Sequence, residues 1–352
     1  MANSDLILNQ VEEAQQVLTQ AEARGFNSPA IQVFLYRIAF LRGDAAEMAR
    51  RVGAVAGQPA EDLMLSQEAD AEAYHGRLGK ARELTRRAVE SALRDNRPEA
   101  AAAFRAMAAW REAAFGERGP ARAEAQAAIS MDPGQTVQTL AALALAEAGD
   151  TTKASELAES LHREIPFDTV LIDYWLPTIR ALIALGREAK PSARPSPSAG
   201  KGASSAIDLL EPVKPYDLEL PTLYWTLNVT MCPVGARGRA YLALGQGREA
   251  AAEFQKIVDH PGLVGNFPIG ALAHLGLGRA YALQAGVDIR GELELGRRAR
   301  VGGVSDNEGQ TPQPDALAKA RSAYQDFFAL WRDADADIPI LKEAKAEYAR
   351  LH

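Results

Sequence analysis

Apolar and polar positions along the chain follow the period of amphipathic helices, and these helical runs come in pairs. The first run of a pair is the more apolar, as in TLAALALAEAG, which ends at Gly149, and a more polar run follows it. This pattern predicts helices that each turn one face toward a neighbour. The glycines that separate the two runs recur mostly every 33 to 41 residues, at Gly43, Gly76, Gly116, Gly149, Gly186, Gly245 and Gly286.

The regular glycines predict helical hairpins. Glycine readily adopts the left-handed conformation that ends a helix, so we expect each of these residues to close the first helix of a pair. A small residue five positions later lets the second helix approach closely. This position holds Ala81, Ala121, Ala154 and Ala250, with Met48 as the exception, and two insertions displace it to Ala206 and Ala320.

An isolated hairpin cannot bury its apolar face, whereas stacked hairpins cover one another. The sequence therefore predicts one all-α solenoid over residues 1–352. The segment 338–352 is expected to be a polar helix that caps the last hairpin, with Asp337 as its N-cap and Pro339 in its first turn.

The repeat resembles the tetratricopeptide repeat (TPR), a 34-residue pattern of small, aromatic and proline positions. The best copy places Gly238, Tyr241, Gly245, Ala250, Phe254 and Ile257 at the spacing of that pattern. A second copy uses Ala142, Gly149, Ala154, Leu161 and Pro166, and a third supplies Gly278 and Tyr281. The resemblance implies a right-handed superhelical α-solenoid of about seven TPR-like hairpins that binds protein partners.

The last third is similar to the C-terminal repeat region of acidobacterial-type, eukaryotic-like serine/threonine kinases and multidomain regulators. The segments NFPIGALAHLGLGRAYAL and AYQDFFALWRDADADIPILKEAKAEYARL carry this similarity. A kinase domain is absent, because the chain has no glycine-rich phosphate loop, no VAIK-like lysine, no HRD and no DFG. The resemblance implies a bacterial, kinase-associated signalling module.

Three segments interrupt the repeat. Residues 187–204 and 287–314 are rich in glycine, proline and polar residues, which predicts flexible insertions between the two helices of a hairpin. Each is either a regulated element or a tolerated surface insertion. The first insertion contains Ser192, Ser196 and Ser198, and the second contains Arg297, Arg298 and Arg300. A third segment is 212–233. Its aromatic residues either form a platform on which a ligand stacks or fill the joint between two hairpins: Tyr216, Tyr224 and Trp225.

Composition narrows the classes of function. Of 352 residues, 47% are hydrophobic but only 7% aromatic, and the formal charge of −7 argues against a nucleic-acid surface. The single Cys232 excludes an internal disulfide. Without a secretion signal or an apolar run of membrane-spanning length, we expect a cytoplasmic chain with no membrane insertion, although its parent protein could be membrane-anchored.

Candidate catalytic and metal-binding groups are sparse. The five histidines do not occur at metal-ligand spacings, no GxSxG elbow is present, and Cys232 lacks an adjacent base in the sequence. The acidic run Asp333, Asp335, Asp337 lacks the glycine and the final glutamate of a calcium loop. The sequence predicts neither an enzyme nor a cofactor or metal site.

The predicted binding site is a concave groove. In TPR folds the position after the small residue of the first helix points into the groove, and here it holds Arg37, Asp70, Trp110, Leu143, Arg180, Arg239 and Arg279. Arginine forks match carboxylates and phosphates. We therefore expect a peptide-binding groove formed by Arg180, Arg239, Arg279, Trp110 and Arg37. The alternative is that the arginines pair with carboxylates of the array and bind no ligand.

These features predict a non-catalytic scaffold that binds a protein or peptide, acidic or with a C-terminal carboxylate, in its concave groove. The alternative is a detached regulatory module of a bacterial kinase or transcription regulator, acting by docking or oligomerisation. The sequence leaves open the identity of the partner, the oligomeric state and the presence of an upstream catalytic domain.

Overall fold

The computed structural model of the chain describes residues 2–26, 28–188, 200–221, 229–289 and 315–351. Throughout these ranges the regular secondary structure is helical, with no strand. The predicted all-α class is confirmed. The predicted loop serines and the Arg297–Arg300 cluster lie outside the described residues, as do Tyr224 and Trp225.

The helices follow one another with short connections. In the first half they are α1 (Ala2–Ile7), α2 (Val11–Ala23), α3 (Pro29–Leu41), α4 (Ala45–Val55), α5 (Glu61–Tyr74), α6 (Leu78–Arg94), α7 (Pro98–Ala114), α8 (Arg118–Met131), α9 (Gln135–Glu147) and α10 (Thr151–Glu164). In the second half they are α11 (Leu176–Glu188), α12 (Lys201–Leu210), α13 (Cys232–Ala243), α14 (Gly247–Val258), α15 (Pro261–Val264), α16 (Ile269–Gln284), α17 (Ala316–Leu330) and α18 (Pro339–Ala349).

Consecutive helices pack as hairpins, and each hairpin packs on the next. A π-helical turn, Leu171–Trp175, leads into α11, and a 3₁₀ helix, Glu211–Tyr216, follows α12. The chain is thus a solenoid of stacked helical hairpins, as the repeat predicts.

Glycine ends the first helix of most hairpins as predicted. Gly149, for example, has φ +76° and donates its N–H to Ala146, while Asp150 donates to Leu145. The same pair of bonds and a positive φ occur at Gly43, Gly76, Gly116, Gly245 and Gly286. These bonds satisfy carbonyl groups that a helix end otherwise leaves free.

The prediction for Gly186 is wrong. This residue lies inside α11 with an ordinary helical backbone, and a Cβ there would come 3.1 Å from the Thr151 methyl group at the start of α10. Gly186 therefore allows close contact between neighbouring helices instead of ending one.

Small residues sit at the helix contacts, as expected. The predicted alanines are buried, namely Ala81, Ala121, Ala154, Ala206, Ala250 and Ala320. Gly238 of α13 faces the Phe254 ring of α14, and Gly278 of α16 faces the Tyr324 ring of α17. A Cβ at either glycine would lie 2.7 Å from a ring carbon, so glycine is required there.

The helix bounds differ from three predicted boundaries. Of the insertion predicted at 187–204, residues 187–188 belong to α11 and 201–204 to α12, and residues 189–199 lie outside the described residues. Of the insertion predicted at 287–314, only 287–289 are described. The last helix is Pro339–Ala349, and its N-cap is Ile338 instead of Asp337.

The two ends of the array meet. Asn9, after α1, accepts the Gly262 N–H and donates to the Asp259 carbonyl, both at 2.9 Å. Nearer the centre, the Asn266 side chain donates to the Gln67 carbonyl of α5 at 2.7 Å. The final helices therefore cover part of the first hairpins. The sequence pattern did not predict this contact between distant hairpins.

Candidate binding site

A cavity lies between the helices of the closed array. It is lined by residues of α7, α9, α11, α13, α14, α16 and α18, and the centre of a water-sized molecule can reach about 100 Å³ of it. Three of the five residues predicted for the groove line this cavity: Trp110, Arg239 and Arg279.

The rest of the lining is mostly apolar. Phe254 and Ile257 come from α14, Ile269 and Leu272 from α16, and Ile340 from the start of α18. The charged members of the lining are Arg239, Arg279 and Glu147. An apolar wall with a few convergent polar groups is the usual chemistry of a ligand site.

Arg239 forms a two-pronged ion pair with Glu147 at the end of α9. Its Nη1 donates to Oε1, and its Nη2 donates to Oε2 at 2.7 Å. Burial opposes the charge of Arg239, but Glu147 outweighs that effect and the pKa of Arg239 is raised. The side chain still keeps 43% of its surface accessible, so part of a fully charged guanidinium faces the cavity.

Arg279 is held by helix α18. Its Nε donates to both Glu347 oxygens, at 2.9 and 3.1 Å, and Glu347 also accepts the Tyr324 hydroxyl at 2.8 Å. The Nη2 atom of Arg279 also forms an ion pair with Glu343 at 3.6 Å, and 65% of the Glu343 side chain is exposed, against 16% of the Arg279 side chain.

Trp110 forms part of the wall nearest the start of the array. Its ring packs on Phe267 with the centroids 4.4 Å apart and the planes inclined at 30°. The residue is 5% exposed, so it is anchored between α7 and the segment that precedes α16. Its role in the cavity is that of a fixed apolar surface.

The structure does not bring Arg37 and Arg180 to this cavity. Arg37 is buried between α3 and α5, where its Nε donates to Gln67 at 2.8 Å and burial lowers its pKa to about 10. Arg180 on α11 pairs with Glu159 at 3.2 Å and is partly exposed. Of the four predicted groove arginines, only Arg239 and Arg279 therefore reach the cavity. Arg180, Arg239 and Arg279 each pair with a carboxylate of the array, as the alternative prediction has it.

Several cavity residues were not predicted. Glu147 ends an otherwise apolar run, and such an isolated carboxylate is a usable signal in the sequence. Cys232 opens α13 and lines the cavity, and burial raises the pKa of its thiol, which stays protonated near neutral pH. Ile340 lies in α18, the last helix, and no local sequence pattern indicates that it reaches the cavity.

The other candidate groups have structural surroundings. Asp335 of the acidic run accepts the Gly79 N–H at 2.7 Å. In the described ranges no group of three or more histidine, cysteine or acidic side chains is placed to hold a metal ion. Tyr216 is exposed at the end of the 3₁₀ helix. No helix in those ranges combines the length and apolar character needed to cross a membrane.

Comparison with known proteins finds matches among the solved structures. A solved structure described as the crystal structure of the P58(IPK) TPR domain at 2.5 Å aligns with 99% of this chain and 96% of its own. The two share 11% identity with a TM-score of 0.27, a likeness that assigns neither ligand nor function. No protein-family model and no curated protein matches the sequence.

Proposed function

We propose that the protein is a non-catalytic scaffold that binds a short peptide segment in the cavity between α7, α13, α16 and α18. The observation that carries this proposal is an apolar cavity into which two arginines turn. The segment would offer one bulky apolar side chain to the wall and one carboxylate to Arg279. A C-terminal residue such as leucine or phenylalanine supplies both groups at once.

Arg279 is better placed than Arg239 to receive that carboxylate. Both Nη atoms of Arg239 are engaged by Glu147, whereas Arg279 binds Glu347 through Nε and its Nη2 makes only a long contact with Glu343 among the carboxylates. The Glu343 side chain is 65% exposed and its contact with Arg279 is long, so water can solvate that carboxylate once it is released. A ligand carboxylate can then form the forked pair that arginine favours.

The test uses labelled hexapeptides that end in leucine or phenylalanine, prepared with a free carboxylate and with an amide terminus. We expect the free acids to bind wild type, and both the amide and the variant Arg279→Gln to weaken binding about tenfold or more, the loss expected for a charged hydrogen bond. Fluorescence anisotropy measures both. Arg180→Gln is the matched control, since Arg180 is outside the cavity.

Equal binding of acids and amides, or unchanged binding by a folded Arg279→Gln protein, would contradict this assignment. Circular dichroism establishes that the variant is folded.

A narrower role, as a bacterial signalling module that docks on a kinase or regulator, is supported only by the sequence resemblance of the last third. Cytoplasmic location and self-association are likewise expectations from the sequence. Co-purification from the native source with wild type and Arg279→Gln would test the kinase association.

A further inference from the structure

The segment that joins α17 to α18 crosses the array and docks on its first half. We call residues 331–340 the strap. The indole N–H of Trp331 donates to the Tyr74 carbonyl at 3.0 Å, and the Trp331 ring packs edge-on against Phe115 with the centroids 4.9 Å apart. The strap thus bridges the turns that follow α5 and α7.

Asp335 fastens the middle of the strap. Its backbone N–H donates to the Gly76 carbonyl at 3.0 Å, and its side chain accepts the Gly79 N–H at 2.7 Å in the first turn of α6. The residue at the N-cap of α6, Arg77, makes no capping bond with its side chain. Asp335 therefore caps α6 from more than 250 residues away, where a carboxylate also suits the helix dipole.

The end of the strap forms part of the cavity wall. The Ile340 N–H donates to the Phe115 carbonyl at 3.2 Å, and the Ile340 side chain lines the cavity together with Ala114 of α7. Helix α18, which the strap positions, carries Glu343 and Glu347, the carboxylates that hold Arg279. Displacing the strap would widen the wall and loosen the carboxylates on Arg279 together.

We infer that the strap is a gate: docked on the turns after α5 and α7 it restricts the cavity, and undocked it admits ligand and frees Arg279. The strap is held by hydrogen bonds to turns and by the buried side chains of Trp331 and Ile338, whereas the hairpins are joined along whole helices. Such local contacts open at a lower free energy than the rest of a fold. The inference rests on the proposed function in taking the cavity as the binding site.

Cys232 provides a direct measure of the gate. It is the one cysteine in the chain and it lines the cavity, where burial keeps its thiol protonated and slow to react. Faster reaction with a neutral aromatic disulfide therefore reports opening of the thiol's surroundings without any peptide. Two changes release the strap by different means. Asp335→Ala removes the bond to Gly79, while Gly76→Ala places a Cβ 2.6 Å from Ala334 and 2.7 Å from the Trp331 ring.

Each change has a matched control. Asp333→Ala removes the same charge from an exposed position of the strap. Gly43→Ala creates the same left-handed strain as Gly76→Ala, at φ +66° against +72°, but its Cβ meets nothing within 4 Å. Differences between the members of a pair therefore arise from the strap and not from charge or backbone strain.

We expect Cys232 to react about tenfold faster in each strap variant than in its control under native conditions, in line with loss of a charge-assisted bond. If either strap variant reacts at the rate of its control, the gate is wrong. Peptide binding by wild type is measured separately. Failure of the gate therefore leaves the binding proposal intact, and failure of peptide binding leaves the Cys232 result interpretable.

Discussion

Some charged residues that the repeat pattern places in the groove are instead buried inside the protein. Asp70 occupies a predicted groove position but is fully buried, and the Arg111 Nη1 donates to it at 2.6 Å. Burial raises the pKa of Asp70, although the Arg111 charge opposes that shift. The sequence identifies the position in the helix but not the helix that covers it, so an interior ion pair could not be distinguished from a ligand contact.

Arg111→Ala should cost about 3–5 kcal/mol of unfolding free energy, because it leaves a carboxylate buried without a partner. Arg86→Ala, which removes an exposed pair with Glu90, should cost less than about 1 kcal/mol. Urea unfolding measures both. Similar losses in the two variants would contradict a dominant role for burial.

The same pair predicts a pH dependence. With its arginine removed, Asp70 should have a folded-state pKa further above its unfolded value, so the variant binds a proton more tightly when folded. The protonated Asp70 carboxyl therefore contributes to the stability of the folded variant at low pH, and this contribution is lost as pH rises. The deficit of Arg111→Ala relative to wild type should therefore be smaller at pH 4 than at pH 7, and a deficit that grows on acidification would refute the assignment.

At the scale of helices, glycine spacing predicted most hairpins correctly because a left-handed helix end needs glycine whatever its tertiary surroundings. The prediction is wrong at Gly186, where the absence of a side chain lets α10 and α11 pack closely. Both uses look the same in a single sequence. The alanine positions were more reliable, since most hairpins have a small residue at the helix contact, with Met48 as the exception.

Two glycines at which an added Cβ meets nothing within 4 Å should respond to alanine with opposite signs. Gly149→Ala should destabilise the protein by about 1–2 kcal/mol, because its φ of +76° disfavours any Cβ. Gly53→Ala should stabilise it by about 1 kcal/mol, since Gly53 lies within α4 with nothing within 4 Å of an added Cβ. Denaturant unfolding of both variants checks the signs, and a shared sign would show that backbone conformation is not the cause.

At the scale of the whole molecule, contacts between the two ends of the array turn a predicted groove into a partly open cavity between helices. The deciding contacts join residues far apart in sequence, such as Asp335 with Gly79 and Trp110 with Phe267. Their geometry depends on the summed curvature of many hairpins, which no local pattern reports. Position within the repeat nevertheless identified Trp110, Arg239 and Arg279, because it determines which face of a first helix turns inward.

Protection of Cys232 by a bound peptide tests the central claim most directly, because the thiol lies in the cavity wall. A free-acid hexapeptide at saturation should slow modification of Cys232 about tenfold or more, in proportion to the fraction of sites occupied, as expected when ligand occupies the reactive site. The amide peptide at the same concentration should have little effect. Saturable binding of the free acid with no change in the Cys232 rate would show that the peptide binds elsewhere and would contradict the account.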